Sequence, residues 1–147
     1  MQLTRSGEYA LRGLIFLAKQ PADRLSLVSE ISRVQNIPET YLAKIFQRLS
    51  KVGLLRSIRG LNGGFALARP ARKITMREVI EALEGPIALN RCLLREGECN
   101  EEKGCSLHQV LGEAQERLLD ILNRTTMEDL SKTRVPKMEG REGGEQK

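Results

Sequence analysis

Apolar residues early in the chain recur at Leu11, Leu14, Ile15, Leu17 and Ala18, the spacing of one helical face, and Pro21 ends the run. The pattern predicts a helix over residues 3–20. A second helix of about two turns is expected to run from Ser26, as N-cap, to Val34, with Leu27, Val28 and Ile31 turned inward. Asn36-Ile37-Pro38 reads as a turn, and Pro38 suits the first turn of a third helix, PETYLAKIFQRLSKVG, which Gly53 ends as a left-handed cap. Its stripe of Leu42, Ile45, Phe46 and Leu49 leaves Thr40, Tyr41, Lys44, Gln47, Arg48 and Lys51 toward solvent. Two short helices, a tight turn and a longer amphipathic helix are the parts of a helix-turn-helix.

Beyond Gly53 the period changes to the alternation of strands, interrupted by RGLNGG. A β-hairpin with a Gly-rich tip is expected, carrying Arg56 on its first strand and Arg59, Asn62 and Gly63 at its end. Such a hairpin after a helix-turn-helix is a wing. A phosphate-binding loop would need Lys-Ser/Thr after its glycines, which this segment lacks.

Thr75 and Glu78 have the spacing of a capping box, opening a helix with Val79, Ile80 and Leu83 inward and Gly85-Pro86 closing it. No apolar period is sustained across residues 86–105, which predicts a loop. From Ser106 onward Leu107, Leu111, Ala114, Leu118 and Ile121 recur at alternating spacings of four and three, flanked by Val110 and Leu122. A stripe of that length needs a partner, and a second copy of the same helix is the simplest one. A short helix restarts at Thr126, and the polar, Gly-rich tail is expected to be disordered.

The expected fold is therefore mainly α with a small β-hairpin wing. A winged helix-turn-helix domain spans residues 1–85, a loop 86–105, a dimerisation helix and short C-terminal helix 106–130, and the tail 131–147.

Only 3% of the 147 residues are aromatic and none is Trp, so the core must be aliphatic, which agrees with a helical reading. No secretion signal or membrane span is visible, and the odd cysteine count argues against a disulfide framework; the cytoplasm is the expected compartment. The net charge of +5 is unevenly spread. Residues 40–77 contain Lys44, Arg48, Lys51, Arg56, Arg59, Arg69, Arg72, Lys73 and Arg77 and no acidic residue, whereas the next stretch is rich in glutamate. Such a block is the footprint expected where phosphates of double-stranded DNA dock. Thr40, Tyr41, Lys44 and Gln47 are candidates for the major groove, Arg59, Asn62 and Gly63 for the wing contact, and Arg48, Lys51 and Arg56 for phosphates.

All three cysteines and the one histidine fall in RCLLREGECNEEKGCSLH: Cys92, Cys99, Cys105 and His108. Thiolate and imidazole together select zinc, copper(I) or iron-sulfur clusters. Gaps of six and five residues between the cysteines are wider than the tight pairs of structural zinc sites and suit a loop wrapping a cluster. Glutamates 96, 98, 101 and 102 disfavour a reactive low-pKa thiolate, and no acid-base constellation or nucleotide fold accompanies the loop. No catalytic activity and no small-molecule substrate are expected. A cluster-free thiol or zinc sensor on the same scaffold, or an iron-sulfur electron carrier, are the competing readings.

Taken together, LTRSGEYALRGLIFLA, the segment from IPETYLAKIF to GGFALARP, MREVIEALEG and the three-cysteine loop resemble the winged-helix transcription regulators of the IscR and NsrR type. The likeness covers residues 1 to about 130. It implies a homodimer that represses or activates genes according to the state of a cluster bound by Cys92, Cys99 and Cys105. His108 matches the fourth ligand of members with a 2Fe-2S cluster. Members that sense nitric oxide with a 4Fe-4S cluster take a carboxylate near the partner's N-terminus, and Glu8 lies in that neighbourhood. The chain departs from the cluster-regulator pattern in having six residues, not five, between the first two cysteines. Ala43 also stands where some members carry a charged residue.

Overall fold

The computed structural model describes residues 2–94 and 104–132. Helix α1, Arg5–Ala18, starts at Thr4, whose hydroxyl accepts from the Gly7 N–H. It is followed by α2, Val28–Gln35, which ends at Asn36 in the left-handed conformation (φ +54°), and by α3, Glu39–Lys51, with Pro38 as its N-terminal flanking residue. Strands β1, Leu55–Ile58, and β2, Gly64–Leu67, pair antiparallel from Leu55↔Leu67 to Ile58↔Gly64. A 3-10 turn at Ala71–Lys73 leads to α4, Met76–Glu84, and another at Arg91–Leu93 precedes α5, Ser106–Arg124, and α6, Met127–Ser131. Both α4 and α6 open with complete capping boxes, Thr75 with Glu78 and Thr126 with Asp129.

The expected helices and hairpin are present, so the fold is mainly helical with a two-stranded wing. One local expectation fails. Ser26 caps no helix: its N–H donates to the Phe65 carbonyl (2.9 Å) and its carbonyl accepts from the Phe65 N–H (2.8 Å), an extra rung that staples the approach to α2 onto the wing. Leu27, expected inward, is consequently exposed at the N-cap of α2, and Ile31 alone of that helix is buried.

The core is aliphatic, with Leu14, Ile31, Leu42, Leu49, Ile74 and Ile80 fully buried around Phe46. Each such side chain stabilises the fold by about 1.5–3 kcal/mol. Gly13 lets α3 approach α1, because a Cβ there would stand 2.6 Å from the Phe46 ring. On its other side Phe46 meets Phe65 of β2 edge-on, at 5.2 Å between centroids. One ring therefore sets the spacing of α1, α3 and the wing.

The second half of α5 and all of α6 return to this core through Leu122 and Met127. Their entry is fixed by a rung between Thr75 and Thr126: Met76 N–H donates to Thr125, and Met127 N–H to Ile74. Another face of α5 is left open, with Leu107 60% and Val110 64% exposed and Ile121 also exposed.

Candidate nucleic-acid interface and cysteine loop

Helix α3 buries Leu42, Ile45, Phe46 and Leu49, so its polar side chains other than Ser50, whose hydroxyl is buried, face outward by geometry. Those side chains separate into two rows. Thr40, Lys44, Gln47 and Lys51, spaced four, three and four apart, are exposed, and none makes a side-chain hydrogen bond or ion pair among the described residues. Tyr41 and Arg48, seven apart, are exposed but engaged. The Tyr41 hydroxyl lies 2.8 Å from the Ser6 hydroxyl, and its ring stands edge-on to Tyr9 at 5.6 Å. Arg48 Nη2 donates to the Leu83 carbonyl at 2.9 Å, satisfying an end of α4. Sequence reasoning grouped all six together; the partners of Tyr41 and Arg48 lie 35 residues away and leave no local signal.

Between α3 and the wing runs a groove of about 410 Å³, lined in part by Ser29, Gln47, Ser57, Arg59 and Gly63. Arg59 and Asn62 are exposed at the hairpin tip. Gly60 has φ +115°, and the Gly63 N–H donates back to its carbonyl at 3.0 Å, closing a tight turn over residues 60–63. A Cβ on Gly63 would sit 2.2 Å from the Ile58 carbonyl oxygen, so the tip admits only glycine there. Arg56 belongs to a different surface: with Arg24, Arg69 and Arg72 it rims a cavity of about 400 Å³ floored by Leu17 and Ala66.

The basic block is not uniformly available for phosphates. Arg69 pairs with Glu78 (2.9 Å) and Arg77 with Glu81 (3.0 Å), tying the block's C-terminal end to α4. Burial pushes the Glu78 carboxyl up, but the Thr75 N–H and Arg69 outweigh it and hold it below the ordinary carboxylate range. Lys44, Lys51, Arg56, Arg59, Arg72 and Lys73 make no ion pair among the described residues.

In the cysteine stretch, Cys92 sits in the Arg91–Leu93 turn, Cys105 is the N-terminal flanking residue of α5, and His108 follows in the first turn of that helix. The turn packs against α5 in an antiparallel sense. The Leu89 N–H donates to Gln115 Oε1 at 3.0 Å, and Leu93 lies against Gly112. Cys92 falls within that stretch, on the part of the turn between the Gln115 and Gly112 contacts, and Cys105 and His108 lie at the N-terminal end of the same helix. Cys92 and Cys105 are free thiols, half-buried, and His108 is half-buried too. Cys99 and glutamates 96, 98, 101 and 102 lie outside the described residues, as does the tail from residue 133. Among the described residues no three potential ligands are gathered. The soft donor set of thiols and imidazole at the foot of one helix fits an iron-sulfur cluster or zinc. Glu8 lies in the first turn of α1, exposed, 3.9 Å from Arg12.

A family model described as an iron-dependent transcriptional regulator, Rrf2, matches residues 3–133. The chain belongs to the Rrf2 family. It is 37% identical over 131 residues to the transcriptional regulator NsrR of Shouchella clausii, covering 88% of each chain. Among solved structures it is similar to a transcriptional regulator from Listeria innocua (30% identity, 96% and 94% of the two chains, TM-score 0.76). It is also similar to CymR, the global cysteine regulator of B. subtilis (29% identity, 89% and 96%, TM-score 0.71). The protein is thus a DNA-binding transcriptional regulator of the Rrf2 winged-helix fold and not an enzyme, as the sequence motifs imply. Among the described residues no helix is long and apolar enough to cross a membrane.

Proposed function

We propose that this Rrf2 regulator works in the cytoplasm as a homodimer that reads an operator in duplex DNA and senses iron-sulfur, redox or nitric oxide status through a bound iron-sulfur cluster. Cys92, Cys99 and Cys105 would hold the cluster, with His108 as fourth ligand and Glu8 from a second copy as the alternative. The observation that carries this reading is the packing of the Cys92 turn onto α5, the helix whose N-terminal end carries Cys105 and His108. When bound, a cluster supplies a redox-active, nitric-oxide-reactive centre. The likeness to NsrR supports the reading, and His108 favours a 2Fe-2S over a 4Fe-4S cluster.

On the DNA side, Thr40, Lys44 and Gln47 are assigned to base edges, with Tyr41 flanking them. Lys51 and Arg48 are assigned to phosphates beside the recognition helix, Arg56, on its separate face with Arg24, Arg69 and Arg72, to a phosphate further along the duplex, and Arg59, Asn62 and Gly63 to the minor groove beside the wing. Two copies joined along the open face of α5 would present two recognition helices to two half-sites. In this division residues 1–85 bind DNA, 86–105 sense, 106–130 join the copies, and the tail 131–147 has no assigned part.

Anaerobic purification with iron, acid-labile sulfide and visible absorption measured together tests the cluster. Non-denaturing mass measurement adds the oligomeric state. Equal iron and sulfide on a dimer is the expected result; a colourless protein with one zinc per chain overturns it. His108→Ala and Glu8→Ala, compared by cluster spectrum, identify the fourth ligand. A cluster-free thiol or zinc regulator is the second reading, favoured by the likeness to the cysteine regulator CymR. Its signature is DNA binding that responds to thiol oxidation, or to zinc removal, in iron-free protein.

A further inference from the structure

The wing ends in a feature that phosphate or hydrogen-bond contacts do not use. Leu61 is fully exposed, the most exposed large apolar side chain among the described residues. A single exposed leucine on a surface means little by itself, but the turn that displays this one is held by several contacts. It occupies the first central position of the 60–63 turn, which is closed by the Gly63-to-Gly60 hydrogen bond and fixed by the positive φ of Gly60. The close approach of Gly63 to the Ile58 carbonyl locks the same turn from inside. The turn in turn stands on a hairpin stapled to the domain by Ser26–Phe65 and by Phe65 against Phe46. Leu61 is flanked by Arg59 and Asn62, and Ile58 behind it is exposed on the groove that also contains Arg59 and Gln47.

We infer that Leu61 is an apolar wedge that enters the minor groove beside Arg59, packs on the sugar walls and partly unstacks one base step, bending the bound duplex. The inference rests on the reading of the wing as a DNA-contacting element. Cationic and amide groups on either side of the leucine match the electronegative floor and edges of a minor groove, while the isobutyl group has no polar contact to make there. Apolar side chains inserted between base steps bend DNA toward the major groove, and pyrimidine–purine steps such as TA or CA yield most easily. Leu61 would therefore impose a step preference at a position where no hydrogen bond reads the bases.

The test uses the full-length protein and duplexes selected by it from a random-sequence pool, with bending read by end-to-end fluorescence transfer. In the wild type, a bend of about 20° or more is expected, with TA or CA enriched at the step beneath each wing. Leu61→Ala should lose most of the bend and of the step preference and bind roughly tenfold more weakly. Its thermal midpoint and the salt dependence of binding should be unchanged, since no buried contact and no phosphate contact is removed. Unaltered bend and step preference in Leu61→Ala overturn the inference. Arg59→Ala serves as the second arm: if it binds as the wild type does with the same salt slope, the wing does not touch DNA, and the underlying reading falls with the wedge.

Discussion

Replacing Gly13 by alanine probes how firmly the recognition helix and the wing are seated, because the Phe46 ring lies between them. The new Cβ would lie 2.6 Å from Phe46 Cε1 and 2.8 Å from Cζ, so the ring must retreat by about 0.8 Å to reach an ordinary contact of 3.4 Å. Phe46 is fully buried and has Phe65 at 5.2 Å on its far side, so the displacement is passed to α3 and β2. Overpacking of this kind costs about 1–3 kcal/mol. Alanine in a helix interior returns about 1 kcal/mol of propensity, leaving a net loss of about 1 kcal/mol. The thermal midpoint should fall by roughly 3–4 °C, and DNA affinity should fall with it as α3 and the wing shift together. The decisive measurement is a double-mutant cycle by thermal denaturation with Phe46→Leu, whose smaller side chain vacates the contested space. In that background Gly13→Ala should become neutral or stabilising. A Gly13→Ala protein as stable as the wild type, or a cost that persists alongside Phe46→Leu, refutes the account.

Further expectations follow from the same contacts. Val110→Asp together with Ile121→Asp puts charge on the open face of α5 and should yield monomers by sedimentation while the helical circular dichroism is kept; a dimer that persists removes α5 as the joining surface. Lys44→Ala and Lys51→Ala should each reduce the slope of binding against salt without lowering the thermal midpoint. Arg48→Ala should also lower the midpoint, because the Leu83 carbonyl loses its donor. Asp129, held by the Thr126 N–H and hydroxyl, and Glu78 both have carboxyls below their ordinary values. Their stabilisation is present above the unfolded-state pKa values near 4 and is lost as pH falls through the lower folded values. Acid titration followed by circular dichroism should therefore show a flatter acid limb in Glu78→Gln/Asp129→Asn than in the wild type.

Periodicity and local punctuation located most of the secondary structure. The stripe of α3 and the capping boxes of α4 and α6 are written at spacings of three and four, and the Gly-rich hairpin within one short run of the chain, Leu55 to Leu67. Long-range pairings were not legible. Ser26 has the composition of an N-cap, and its role in a rung with Phe65 depends on a strand 39 residues later. Tyr41 and Arg48 look like their neighbours Thr40 and Lys44 until α1 and α4 are placed beside them. Arg69 and Arg77 likewise read as part of an open basic block until Glu78 and Glu81 neutralise them. The ligand types in the cysteine stretch were plain from composition, but the course of the Cys92 turn along α5 comes from Gln115 and Gly112, which carry no metal-binding signal.

The rung between Thr75 and Thr126 makes α5 a beam held most firmly at its C-terminal end, with the Arg91–Leu93 turn bracing its middle at Gln115 and Gly112. Its C-terminal turns are fixed by Leu122, Met127 and that rung, whereas its N-terminal end, some 27 Å away at 1.5 Å per residue, carries Cys105 and His108. A tilt of about 5° at the clamp corresponds to a swing of about 2 Å at the far end, close to half a helical turn of rise. Run in reverse, a sideways pull of that size on Cys105 turns into a small, stiff torque at the junction of α4 and α6. There Ile74 and Met127 share the core with Phe46, the ring that spaces the recognition helix from the wing.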